Sequence, residues 1–131
     1  MSDIDVTTVT TTVDTYLAMW NETDRQQRAR LIERAWTADG RYADPLQEAE
    51  GHGALSEMVD AIQARFPGHR FRRQSGVDVH HDQLRFAWDL TAPDGTAVVA
   101  GLDLGELATD GRLRRITGFF GDLPAEDAAA A

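Results

Sequence analysis

The chain has no cysteine. That removes a disulfide framework, a thiolate nucleophile and a thiolate metal site in one stroke. It also lacks any run of about 18 apolar residues that could span a bilayer as a helix. An excess of basic residues is missing too: 13 Lys and Arg stand against 22 Asp and Glu, a net charge of −9. Nucleic acid and anionic membrane would both be repelled, so neither is expected as a partner. The start, MSDIDVTT, does not show the basic-then-apolar order of a signal peptide, and a cytoplasmic protein is expected. Internal repeats, linkers, a Gly-rich phosphate loop and a Ser-His-Asp order are absent as well.

What is present is a chain of 131 residues, 42% hydrophobic and 27% charged, the make-up of a soluble globular protein. At this length residues 1–131 form one domain, able to bury roughly two-thirds of the surface of the unfolded chain. The ordered core is expected over about 6–123. Residues 1–5 and the tail AEDAAAA read as loose.

Three amphipathic helices are expected first. Val9, Val13, Tyr16, Leu17 and Trp20 recur at steps of three and four, which places Tyr16 on a buried stripe. A helix capped by Asp24 runs to about Thr37, with Leu31, Ile32, Ala35 and Trp36 inward and Arg25, Arg28, Glu33 and Arg34 outward. Asp39-Gly40 then breaks into a short extended piece, RYADP. Pro45 holds Asp44 extended, and alternation puts Tyr42 and Asp44 on one face. An acidic loop, Gln47 to Glu50, leads to a third helix from Gly53 to Phe66.

The rest reads as strands. One covers His69 to His80, with a possible bulge at Gly76. Another covers Gln83 to Ala92, where Leu84, Phe86, Trp88 and Leu90 alternate with Arg85 and Asp89. Pro93-Asp94-Gly95 turns into a third, Thr96 to Leu107, and Thr109-Asp110-Gly111 into a fourth, Arg112 to Phe120. Helices followed by an antiparallel meander define an α+β domain. The third strand carries Asp103 among apolar residues on both parities, so it is expected to be covered on both sides. A carboxylate there needs a partner or a proton. The alternative is an Asp at a strand end or bulge that reaches water.

This order resembles the cone-shaped nuclear transport factor 2-like (NTF2-like) fold, three N-terminal helices on a curved, mostly antiparallel sheet. Within it the chain is similar to ketosteroid-isomerase-like and SnoaL-like proteins. YLAMWN (Tyr16 to Asn21), YADP (Tyr42 to Pro45), the Gly51 to Leu55 helix start, VAGLDL (Val99 to Leu104) and DGRLRRITGFFG (Asp110 to Gly121) carry the likeness. The resemblance implies a hydrogen-bonding Tyr at Tyr16, a general base at Asp44 and a second oxyanion donor at Asp103. Those types suit proton abstraction beside a ketone: a carboxylate takes and returns the proton, and two neutral donors stabilise the dienolate. In that scheme Asp44 is ionised near the mouth and Asp103 is kept protonated by an apolar wall.

The resemblance further implies a small apolar carbonyl-containing ligand, no cofactor, and a homodimer built on the outer face of the sheet. Trp88, Phe86, Phe119 and His69 are the candidate ligand-binding residues. Gly101 stands where the isomerases commonly have Pro, which is expected to loosen the strand beside Asp103. It also stands where limonene-epoxide-hydrolase-like members use Arg, which disfavours that chemistry. Arg70, Arg72 and Arg73 are expected outside; facing inward they would select an anionic substrate. His52, His69, His80 and His81 share no ligand spacing, so no metal site is expected. SnoaL-like polyketide cyclisation and a non-catalytic binding pocket remain as alternatives.

Overall fold

The structure is a computed structural model that describes residues 5–126; the looseness expected of residues 1–4 and of the end of the tail lies outside them. Helix α1 (Val6–Asn21) is capped not by its threonines but by Asp5, whose carboxylate accepts from the Thr7 N–H. The hydroxyls of Thr11, Thr12 and Thr15 instead bond back to carbonyls one turn earlier. Asp24 caps α2 (Arg25–Ala35), as its sequence position suggests.

Helix α2 ends two residues early because Trp36 joins the sheet. Strand β1 (Trp36–Ala43) pairs with the last strand in parallel, starting from Trp36 opposite Leu113. The residues expected to form an acidic loop make a short strand, β2 (Glu48–Glu50), hairpinned onto β1. Then follow α3 (His52–Arg65), β3 (Arg70–Arg73), β4 (Asp78–His80), β5 (Gln83–Thr91), β6 (Ala97–Leu107) and β7 (Leu113–Phe120). The single strand expected from His69 to His80 is thus two, both paired with β5 and separated by residues 74–77, which stand opposite only two residues of β5. Gly95 and Gly111 take positive φ in the two tight turns, where a side chain would be strained.

The seven strands form one curved, open sheet, ordered β2-β1-β7-β6-β5-β3 with β4 also on β5. Only β1 with β7 is parallel, so the sheet is mixed. The helices cover one face, and Val13, Tyr16, Leu55 and Val59 pack there against Phe86, Leu113 and Ile116. The other face of β6 is open in the single chain: Val98, Leu102 and Leu104 are exposed, with Phe119 beside them on β7. Coverage on both sides, expected from the apolar parities, is therefore absent among the described residues. Among the described residues no helix is long and apolar enough to cross a membrane.

Arg28 corrects the sequence reading. It was expected to face water, yet it is fully buried. Its guanidinium donates to Glu22 O, Ser56 O and Oγ, Asp60 Oδ1 and Gln63 Oε1, joining the start of α2 to α3. A buried cation is tolerable when its donors are filled and a carboxylate faces it.

Candidate functional site

Asp103 lies in the middle of β6, between Phe86 on β5 and Gly118 on β7, with its carboxyl turned toward the helices. It is 3% exposed. Tyr16 donates its hydroxyl to Oδ2 at 2.8 Å, and the Trp88 indole N–H donates to Oδ1 at 2.9 Å. Burial pushes this carboxyl up to about 7 from 3.8; the two hydrogen bonds pull the other way, and nearby Asp44 adds to the rise. Burial and the neighbouring carboxyls also hold the phenols of Tyr16 and Tyr42 above their ordinary range, so both remain donors.

Gly101 has a packing role beside Asp103. It lies opposite Trp88, and a Cβ there would collide with the Trp88 ring and with Phe119 O. The missing side chain is the seat of the indole that reaches Asp103 two residues on.

Asp44 ends the β1 strand and opens the hairpin to β2. Its Oδ1 accepts the backbone N–H groups of Leu46 and Gln47 at 2.8 and 3.1 Å, an Asx turn. Its Oδ2 accepts the Tyr42 hydroxyl at 2.6 Å. The backbone N–H of Asp44 closes the hairpin onto Gln47 O.

A cavity of about 410 Å³, its open mouth included, lies between the helices and the sheet. Asp44, Gln47 and Tyr42 supply its polar wall. Its apolar walls include Trp20, Phe71, Trp88 and Phe120, whose neighbouring rings stand 5.2 to 5.8 Å apart. Asn21 holds Phe71 in place: its side-chain amide donates to Phe71 O and accepts from Phe71 N–H.

The structure brings Tyr16, Asp103 and Trp88 into direct contact and sets Asp44 close by. Tyr16 and Asp103 are not on the cavity wall. Of the residues nominated for the ligand, Trp88 lines the cavity. Phe86 does not; it is buried in the core, 6.2 Å from the Tyr16 ring. Phe119 does not either: Ile116, Gly118 and Phe120 take the inward parity of β7, which turns Phe119 out to 55% exposure. His69 precedes β3, packs on Phe66 and bonds Pro67 O, and is not itself on the cavity wall.

The arginines of β3 stay out of the cavity, as expected. Arg73 pairs with Asp14 and Arg72 stands 3.6 Å from Asp89. Among the described residues no three His, Asp or Glu are placed to hold a metal ion. Sequence reasoning missed Tyr42 as a site residue. The signal was available in its shared parity with Asp44, two residues away.

Three helices laid on one face of a curved mixed sheet, with an aromatic cavity between them, define an NTF2-like fold. An NTF2-like protein of unknown function from Exiguobacterium sp. 255-15 superposes with a TM-score of 0.68, at 19% identity over 86% of this chain and 99% of that one. A SnoaL-like polyketide cyclase, provisionally so named, from Jannaschia sp. CCS1 superposes at 0.66, with 20% identity over 92% and 90%. A third solved structure narrows the assignment: a protein of the SnoaL-like family from Agrobacterium tumefaciens str. C58, carrying the provisional name isomerase. It is 40% identical over 88% of this chain and 99% of that one, with a TM-score of 0.84. The chain belongs to the SnoaL-like family. No protein-family profile and no curated protein matches it.

Proposed function

We propose that this protein is an acid–base catalyst that removes a proton beside the carbonyl of a small apolar ligand, in the manner of a ketosteroid isomerase. Asp44 is the base, and the charge developing on the carbonyl oxygen is met by neutral donors on the Asp103 side. One observation carries the reading: two carboxyl groups meet at one site in opposed surroundings. Asp44 borders the cavity with its oxygens filled by Tyr42 and two backbone N–H groups. Asp103 is sealed in and pushed up to about 7. Such pairs divide into acid and base roles. With Asp44 the one charged residue on the cavity wall among the described residues, the ligand is neutral rather than anionic. The test is conversion of a β,γ-unsaturated ketosteroid to its conjugated isomer, read by the rise in ultraviolet absorbance. No turnover removes steroid isomerisation and leaves other carbanion chemistry, including polyketide cyclisation.

A second reading, a binding pocket without chemistry, is favoured by one feature. Tyr16 and Asp103 spend their hydrogen bonds on each other and on Trp88, away from the cavity. Solvent deuterium that fails to exchange into a ketone occupying the cavity would select this reading.

A further inference from the structure

We infer that Tyr42 is a catalytic residue: its hydroxyl meets the carbonyl oxygen of the ligand, the task the family resemblance gives to Tyr16. The inference rests on the acid–base reading and names the group that completes it.

Position comes first. The Tyr42 ring lines the cavity, whereas Tyr16 lies behind the wall with its hydroxyl committed to Asp103. Tyr42 is also beside the base, 2.6 Å from Asp44 Oδ2. A carbonyl oxygen sits only two bonds from the carbon that loses its proton, so a phenol touching the base can touch that oxygen as well. The ring is held at its edge by Trp20, 5.3 Å away at 66°.

Gly118 supplies an independent observation. The point where its Cβ would stand is 2.9 Å from Asp103 Oδ1, 3.3 Å from the Tyr42 hydroxyl oxygen and 3.4 Å from Asp44 Cβ. Three functional groups, two from the end of β1 and one from β6, thus converge on a residue with no side chain. No positive φ calls for glycine at this position. The space it leaves open is what calls for it. Burial and the adjacent carboxyls keep the Tyr42 phenol protonated, so it acts as a hydrogen-bond donor and does not surrender its proton.

In the reaction, Asp44 Oδ2 takes the proton from the α-carbon. The C–H pair becomes the new C=C bond, and the carbonyl π pair moves onto oxygen. Once Oδ2 carries a proton it no longer needs the donor from Tyr42. The phenolic O–H turns about its C–O bond toward the enolate oxygen, where it is worth most. Return of the proton from Asp44 to carbon restores the Tyr42–Asp44 bond, and nothing is consumed.

The test compares Tyr42→Phe with Tyr16→Phe, using 2-tetralone and following exchange of its α-hydrogens with deuterated water by NMR. Tyr42→Phe is expected to lower kcat about 10²-fold or more while KM stays within about threefold, because only the transition state loses a donor. Tyr16→Phe is expected to lower kcat less than about tenfold. The reverse ordering overturns the inference and leaves the acid–base reading standing with Tyr16 as its donor. If the unmutated protein exchanges 2-tetralone no faster than buffer, both fall together. Should Tyr42→Phe fail to fold, Gly118→Ala carries the test, since its methyl crowds the Tyr42 oxygen and Asp103 Oδ1. A kcat about tenfold lower is expected, and an unchanged kcat overturns the inference.

Discussion

Asp44 and Asp103 are the same side chain in two kinds of place. The partners of Asp44 lie within three residues of it: Tyr42, Leu46 and Gln47. The partners of Asp103 lie 87 and 15 residues away, on a helix and on the neighbouring strand. A hairpin loop makes the first arrangement by itself, as Asp before Pro commonly does. The second exists only when α1 closes over the sheet. The difference teaches that donors alone do not decide protonation. Asp103 accepts two good hydrogen bonds, yet desolvation outweighs them and carries it up to about 7.

The comparison breaks first at Asp44. Asp44→Asn keeps the shape and loses the basic oxygen, so kcat for the ketosteroid is expected to fall about 10³-fold with KM nearly unchanged. A loss confined to KM would make the residue a binding group.

Asp103 is expected to respond less and in a graded way. Asp103→Leu leaves the Trp88 N–H without an acceptor and should cost about 10²-fold in kcat; Asp103→Asn should cost about tenfold. The amide oxygen still accepts from Trp88, and the Tyr16 hydroxyl can turn to accept from the amide N–H. Stability sharpens the same contrast. Because the carboxyl sits at about 7 when folded and near 3.8 when unfolded, the folded chain holds more protons between those values. The contribution of Asp103 to stability therefore falls as pH rises from about 4 to about 7, then stays level. Asp103→Asn cannot ionise, so thermal melts should show it gaining on the parent across that window and holding its gain at pH 8.

Trp88→Phe retains a ring over Gly101 but removes the donor to Oδ1. Since that bond favours the ionised carboxyl, the titration midpoint of Asp103, followed by carboxyl carbon NMR, should move above about 7. A downward move would mean that the indole acts by burial and not by its N–H.

The smallest catalytic effect is expected on the opposite face of β6. The expected homodimer would cover Val98, Leu102, Leu104 and Phe119 with a second copy, since soluble chains seldom leave such patches open. Leu102→Arg should dissociate it in sedimentation at micromolar concentration with little change in kcat. A parent protein that sediments as a monomer removes the dimer.

The helices, the turns and the alternation of β5 were legible because each depends on periodicity or on Gly, Pro and Asp chemistry within a few residues. Where side-chain type was allowed to overrule position, the reading failed. Arg28 lies one turn before Ile32 on the buried stripe of α2, and only its charge suggested water. Phe119 and Phe86 were nominated for the ligand as aromatics, although the parity of Ile116 and Gly118 already turned Phe119 outward. Strand β2 went unseen because two of its three residues are Glu, and pairing with β1 holds it there in place of any propensity of its own.

By itself the sequence determined the three helices, the β5–β6–β7 meander and the placement of Tyr16, Asp44 and Asp103 within the chain, since these follow from local pattern or from family likeness. Tertiary structure alone decided that Trp88 is the second donor to Asp103, that Gly101 is its seat, and that Tyr42 faces the cavity while Tyr16 does not. The reason is physical. Burial, and with it the protonation of a carboxyl, is a property of everything packed around a group, and those neighbours come from segments far apart along the chain.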